Sequence, residues 1–397
     1  MTVEAQREST GIARWQGPSL IIGVLGLAAS AIGWWLQPDE LFHAYLSSYI
    51  FWFSIVAGSL GILMLQYITT GQWGLMIRRP LGAAARTMIW MLLFFLPIAA
   101  GLRHIYPWMI PNWLGHPPLI RQQSIYLSWP RYLIAAAVFF ALWILWAWRI
   151  RALSLKFYQD RSPFTNLARN RWAGAGLPMI VLTLTFASID WMMSLEPRWH
   201  STMYGITFIV GCGLSAFAFV IFFLTRLANT PAMQGILTSQ HLRDLGNLLL
   251  TFVMFYAYVA FSEFLLIWYA NLHSEITYYV SRVNGVWGVL AVSIIVFHFF
   301  LPFFMLLMRP IKDRPQTIGF VTVVILVMRY VAIYWLIAPA WYGEHFHYSI
   351  WCLTTLVGIG GVWIWAFINQ LKGQTIIPIH ETWVEEAIRE GALRVNA

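Results

Sequence analysis

The residues most able to do chemistry begin with a carboxylate set among aromatic residues between two long apolar runs: Asp190-Trp191-Met192-Met193-Ser194-Leu195-Glu196-Pro197-Arg198-Trp199-His200. An ionised group inside an apolar helix costs several kcal/mol on insertion scales, so such groups are paired or lie on a path for ions, protons or substrate. Later apolar runs add Tyr256 and Glu263, one heptad apart, then His298 near the middle of a run and Arg329 within another. Acids, imidazole and phenol can pass protons, whereas a guanidinium holds its charge. The proton-path candidates are therefore Asp190, Glu263, His298 and Tyr256, with Arg329 as the charge-balancing residue; no residue is assigned as catalytic. Glu263 lies roughly 10 Å and Arg329 roughly 12 Å below the outer ends of their runs, from the helical rise. The matched depths predict a Glu263–Arg329 ion pair, which would lower the burial cost of each charge. Asp190 is shallower and either joins that pair or faces outer water. A pair that only locks helices together is the alternative reading of the same charges, and His298 reads equally as a histidine satisfied by one hydroxyl or carbonyl.

The elements that must position these groups follow from hydropathy. With 59% hydrophobic and 10% charged residues and a mean hydropathy of +0.66, the chain is far more apolar than a soluble domain. Apolar runs at 18–36, 46–67, 84–100, 131–150, 173–193, 203–225, 246–270, 285–308, 317–337 and 350–371 are each long enough to cross the hydrocarbon core as a helix. The expectation is an all-α polytopic membrane protein of about ten transmembrane helices over 18–371. A polar arm, 1–17, precedes the helices, and the first run lacks a cleavage pattern and is expected to stay as helix one. A tail, 372–397, follows with Glu381, Glu385, Glu386, Arg389, Glu390 and Arg394 at helical spacing beside Trp383, Val384, Ala387 and Ile388; it reads as an amphipathic helix on a cytoplasmic or subunit face.

With the N-terminus inside, most of the 25 Lys and Arg fall on inner segments, which places both termini in the cytoplasm. Arg78 and Arg79 read as an inner-loop anchor, and Arg149, Arg151, Lys156, Arg161, Arg169 and Arg171 as a basic loop held to anionic headgroups, with Asp160 its one acid. The net charge of +9 is thus a topology signal, and no soluble basic module exists for nucleic acid. Cys212 and Cys352 stand alone in apolar runs, without the spacing that holds iron–sulfur clusters, c-type haem or zinc. His298 alone lies deep in a run, so paired histidines for a membrane b-type haem are missing too. The outer segment 103–130, rich in proline and aromatic residues, is expected to lie flat on the outer surface or to line a quinone pocket. On the inner side His241, Arg243 and Asp244 read either as the start of a proton route or as ordinary capping of helix seven.

The run from Asp190 to Pro197, continued by Trp199 and by Ser201-Thr202-Met203-Tyr204-Gly205, resembles the signature of the F subunit of alternative complex III, a quinol:cytochrome c oxidoreductase whose F subunit is a polysulfide-reductase-like (NrfD-like) membrane protein. The stretches 250–258 and 268–272 are similar to that family's seventh helix, and Thr375-Ile376-Ile377-Pro378-Ile379-His380 to its tail, so the likeness covers nearly the whole chain. The resemblance implies two four-helix bundles, approximately 46–193 and 203–337, with two peripheral helices. It also implies a bacterial inner-membrane respiratory complex in which this chain carries no redox centre and binds no cofactor of its own. Haem c and iron–sulfur clusters would sit in partner subunits: a multihaem cytochrome c, an iron–sulfur protein and a related membrane subunit. The expected role is scaffold and proton translocation. Two alternatives stand beside it: a quinol-binding subunit of the same complex, and a secondary transporter using the buried Asp, Glu and Arg.

Overall fold

A computed structural model describes residues 11–69, 71–110, 121–230, 233 and 237–372. Most of the polar arm, the middle of the outer segment, the 375–380 motif and the amphipathic tail lie outside the described residues. Regular structure among the described residues is helical. Among the described residues, ten helices are long and apolar enough to cross a membrane: α1 (Ile12–Leu36), α2 (Pro38–Thr69), α3 (Met76–Ala100), α4 (Trp129–Asp160), α5 (Pro163–Leu195), α6 (Met203–Leu227), α7 (Ser239–Ala270), α8 (Gly285–Leu307), α9 (Pro315–Tyr342) and α10 (Ile350–Leu371). The chain is an all-α multi-pass membrane protein. Helix is what the solvent demands, because hydrocarbon offers nothing to an open backbone N–H or C=O.

Helices α2 to α5 pack in one ring and α6 to α9 in a second; α10 leans on α2, and α1 covers α10. The two rings meet along α2 and α6, whose apolar windows are 83% and 78% buried, against 17% for α1 and for α8. Small residues allow that contact. A Cβ at Gly58 would meet the Cys212 carbonyl oxygen at 1.9 Å, and Ser54 Oγ donates to Ser215 Oγ at 3.1 Å. Gly58→Leu is therefore expected to force the bundles apart and to lower the thermal unfolding midpoint of the detergent-solubilised chain. Overpacking costs about 1–3 kcal/mol or more. Gly61→Ala, where an added Cβ has nothing within 4 Å, is the control expected to leave it unchanged.

Several helix ends run beyond the apolar windows. The basic stretch read as a loop is mostly helix: α4 continues to Asp160, the chain turns at Arg161 with φ 47°, and α5 starts at Pro163. Asp160 ties the turn to the new helix by accepting from Ser162 N at 3.0 Å and Thr165 Oγ1 at 2.7 Å. Helix α3 begins at Met76, so Arg78 and Arg79 are helical rather than loop anchors, and buried Arg78 donates to Gln66 Oε1 at 2.8 Å. Hydropathy ends a run at the first charge, whereas a helix ends where its backbone is capped.

The bundle interiors differ in a way that positions the site. The first is filled at mid-depth by aromatic rings, with Trp191 5.0 Å from Phe53 and 5.1 Å from Phe95. The second holds buried Tyr256, Glu263, His298 and Arg329. Around His298, residues Ile294–Phe300 of α8 are π-helical, a local widening frequently found at functional sites.

Candidate functional site

Three of the five candidate residues meet around one phenol ring. Tyr256 on α7 lies between α8 and α9: the His298 ring stands edge-on to it with centroids 4.9 Å apart, and the Arg329 guanidinium sits 4.7 Å from its centre. His298 and Arg329 are buried, at 2% and 1% exposure. Glycine makes the room: a Cβ at Gly211 on α6 would fall 2.4 Å from Arg329 Nη2. The cation–π contact is worth about 2 kcal/mol when desolvated. His298 Nε2 and Arg329 Nε and Nη1 are buried with no protein hydrogen-bond partner. Buried polar atoms of this kind call for water or a ligand.

Glu263 lies two turns further out on α7, roughly 10 Å from Tyr256 along the axis. The expected Glu263–Arg329 ion pair is not formed. Glu263 Oε2 instead accepts from Thr207 Oγ1 of α6 at 3.2 Å, Ser201 lies beside it, and Oε1 has no hydrogen-bond partner. Depth matched in the sequence, but azimuth did not, because Arg329 turns onto the Tyr256 face. A double substitution is accordingly not expected to rescue: Glu263→Gln with Arg329→Leu should show additive losses of thermal stability within about 0.5 kcal/mol, as non-contacting sites do. Recovery in the double variant would restore the paired reading.

The two acids of the Asp190–Pro197 motif pair with arginines that hydropathy did not single out. Asp190 neither joins Arg329 nor faces water: it is 1% exposed, and Arg131 Nη1, from the first turn of α4, donates to its Oδ1 at 2.5 Å. The Arg131 guanidinium also stacks 3.6 Å from the Tyr126 ring centre. Tyr106 from the outer segment is fully buried beside them, with its hydroxyl donating to the Trp191 carbonyl at 3.1 Å and 2.9 Å from the Tyr132 hydroxyl. Asp190 thus sits in the first bundle, apart from the other four candidates. In the same motif Glu196 accepts from Arg282 Nη2 at 2.5 Å. Arg282 is 1% exposed, stacks 3.5 Å from the Tyr278 ring centre and donates to the Leu336 and Tyr278 carbonyls at 2.8 Å each. Trp199 stacks on the other side at 3.7 Å from Tyr278. One signal was available: basic residues are rare on the outer side of this chain, so Arg131 and Arg282 there needed a reason beyond topology.

The polar groups of the second bundle thus run from His298 and Tyr256 through Glu263 and Thr207 to the surface near Ser201 and the Glu196–Arg282 pair. The opposite half is packed mainly by Leu245, Leu249, Val253, Ile318 and Ile325; there the hydroxyl of buried Thr322 is spent on the Gly319 carbonyl at 2.7 Å, and buried Lys312 Nζ donates to Asn247 Oδ1 at 2.6 Å. At that end His241 closes a capping box with Thr238, and Arg243 pairs with Asp313 at 2.7 Å. Capping and pairing account for both residues. The groups with exchangeable protons are thus ranged from the interior of the second bundle toward the end that carries the Asp190–Pro197 motif. The chain matches no family model, and a search of curated proteins gave no match.

Proposed function

We propose that this chain is a redox-silent membrane subunit of a bacterial quinol:cytochrome c oxidoreductase, similar to the F subunit of alternative complex III. In this reading it scaffolds a related membrane subunit, an iron–sulfur protein and a multihaem cytochrome c, and gives protons a path to the outer face. The observation that carries the proton role is the buried file from His298 and Tyr256 to Glu263, which ends beneath the outer motif and keeps unpartnered polar atoms along it. The assignment to a complex is supported by the likeness of the Asp190–Pro197 motif to that family's signature. The arginine-rich ends of α3, α4 and α5 support a reading in which both termini lie in the cytoplasm.

The transporter reading asks for interrupted helices at corresponding positions of the two halves. The interruption in α8 has no counterpart in α4, which occupies the same place in the first bundle and is continuous from Trp129 to Asp160. Quinol binding by this subunit fits the aromatic residues around Trp191 and Trp199. The test is purification of the tagged chain from its own membranes under mild detergent. Co-purification of a protein with covalently attached haem and of an iron–sulfur protein is expected, and recovery of the chain alone, with substrate-driven uptake in vesicles, would replace this reading with transport.

A further inference from the structure

Helix α9 carries the Arg329 guanidinium into the second bundle, where it is 1% exposed, and among the described residues no carboxylate pairs with it. Arg131, Arg243 and Arg282 are matched by Asp190, Asp313 and Glu196, and Glu263 is engaged by Thr207 and Ser201. The Tyr256 ring, 4.7 Å from the guanidinium carbon, orients Arg329 but carries no net charge. A guanidinium does not lose its proton inside a protein, so this charge cannot be removed by titration. An isolated buried ion is held only at a large cost, and a counter-ion lowers it.

The hydrogen-bonding atoms around this charge ask for the same thing. Arg329 Nε and Nη1 are buried donors with no protein acceptor, and His298 Nε2, which a neutral imidazole can also use as a donor, has none either. The two side chains flank one ring, with the His298 centroid 4.9 Å from that of Tyr256, and Arg329 is close enough to His298 to act on it electrostatically. The widened turn that carries His298 has a local cause. Pro302 brings no N–H to the His298 carbonyl, and the ladder there shifts to π spacing, with Leu301 N–H donating to the Val296 carbonyl. On the other side α6 confines the guanidinium, since a Cβ at Gly211 would fall 2.4 Å from Nη2. One uncompensated positive charge, several donors without acceptors and close walls select a small monovalent anion. A halide accepts N–H donors from any direction, and hydrogen bonds between charged partners are the strong ones.

We propose that Arg329 and His298 bind a chloride ion in the interior of the second bundle, beside Tyr256. Chloride binds the purified chain without any electron transfer, so the site stands or falls apart from the respiratory reading. The test follows thermal unfolding of the full chain in mild detergent, titrated with sodium chloride, sodium bromide or sodium gluconate at matched ionic strength, and locates bromide by anomalous scattering in crystals of the chain. Chloride and bromide are expected to raise the unfolding midpoint saturably, gluconate is not, and bromide should appear at Arg329. Arg329→Leu should abolish the halide response. Two milder variants keep the test open if that one does not fold. Gly211→Ala pushes the flexible end of Arg329 aside with its charge intact, and His298→Ala removes one donor; each should weaken halide binding about tenfold, the usual loss of one hydrogen bond to a charged partner. Equal midpoints in chloride and gluconate, bromide bound only at the surface, or undiminished halide affinity in both Gly211→Ala and His298→Ala would overturn the site and leave these donors to water.

Discussion

Replacing Arg282 by alanine is expected to destabilise the protein by about 3–5 kcal/mol, the usual loss when one partner of a buried ion pair is removed. The size follows from what the side chain does. It is 1% exposed, holds the Glu196 carboxylate at 2.5 Å, and donates to the Leu336 and Tyr278 carbonyls at 2.8 Å each, so it joins the outer motif to α9 and to the connecting helix His273–Val283. Its removal strands several acceptors at once and takes away the cation stacked on Tyr278. Lysine keeps the charge but cannot make this set of bonds from one ammonium, so Arg282→Lys should fall between alanine and wild type. Glu196→Gln, at a carboxylate whose side chain is 27% exposed, should cost much less. The check is the unfolding midpoint of each purified variant. An alanine variant within about 1 kcal/mol of wild type would mean the pair behaves as a surface pair.

The limits of the sequence are visible in these same residues. Helix number and the gross spans were legible because a bilayer enforces length and hydropathy together. The candidates Tyr256 and Glu263 were legible because a heptad keeps one face. Pairing was not. Arg131 lies 59 positions from Asp190 and Arg282 lies 86 from Glu196, and no local pattern carries a contact across such a separation. Arg329 shows the complementary failure, since depth can be counted along a helix while azimuth depends on how neighbours pack, and here Gly211 opens the slot that turns the guanidinium onto Tyr256. The π-helical turn at His298 changes backbone hydrogen bonding without changing composition, so no hydropathy pattern announces it. The facing ends of α4 and α5 were lost because charged residues were read as loop, although arginine stems lie readily along a helix at the interface.

The second large effect concerns Glu263. It is 5% exposed, hydrogen-bonded through one oxygen to Thr207, and unpartnered at the other. Glutamine keeps this shape and can still accept from Thr207, so the fold and the complex should survive, with stability within about 1 kcal/mol of wild type. What glutamine cannot do is take up and release a proton at working pH. The loss should therefore fall on proton movement and not on assembly, which separates it from the outcome at Arg282. Because the polar file opens toward the motif-bearing face, the defect should appear in protons delivered to that face. The most direct test is the ratio of protons to electrons during quinol oxidation in proteoliposomes containing the whole complex, compared between wild type and Glu263→Gln. A lower ratio in a fully assembled Glu263→Gln complex that still transfers electrons is the expected result; an unchanged ratio in that complex would contradict the proton route and leave this chain a scaffold.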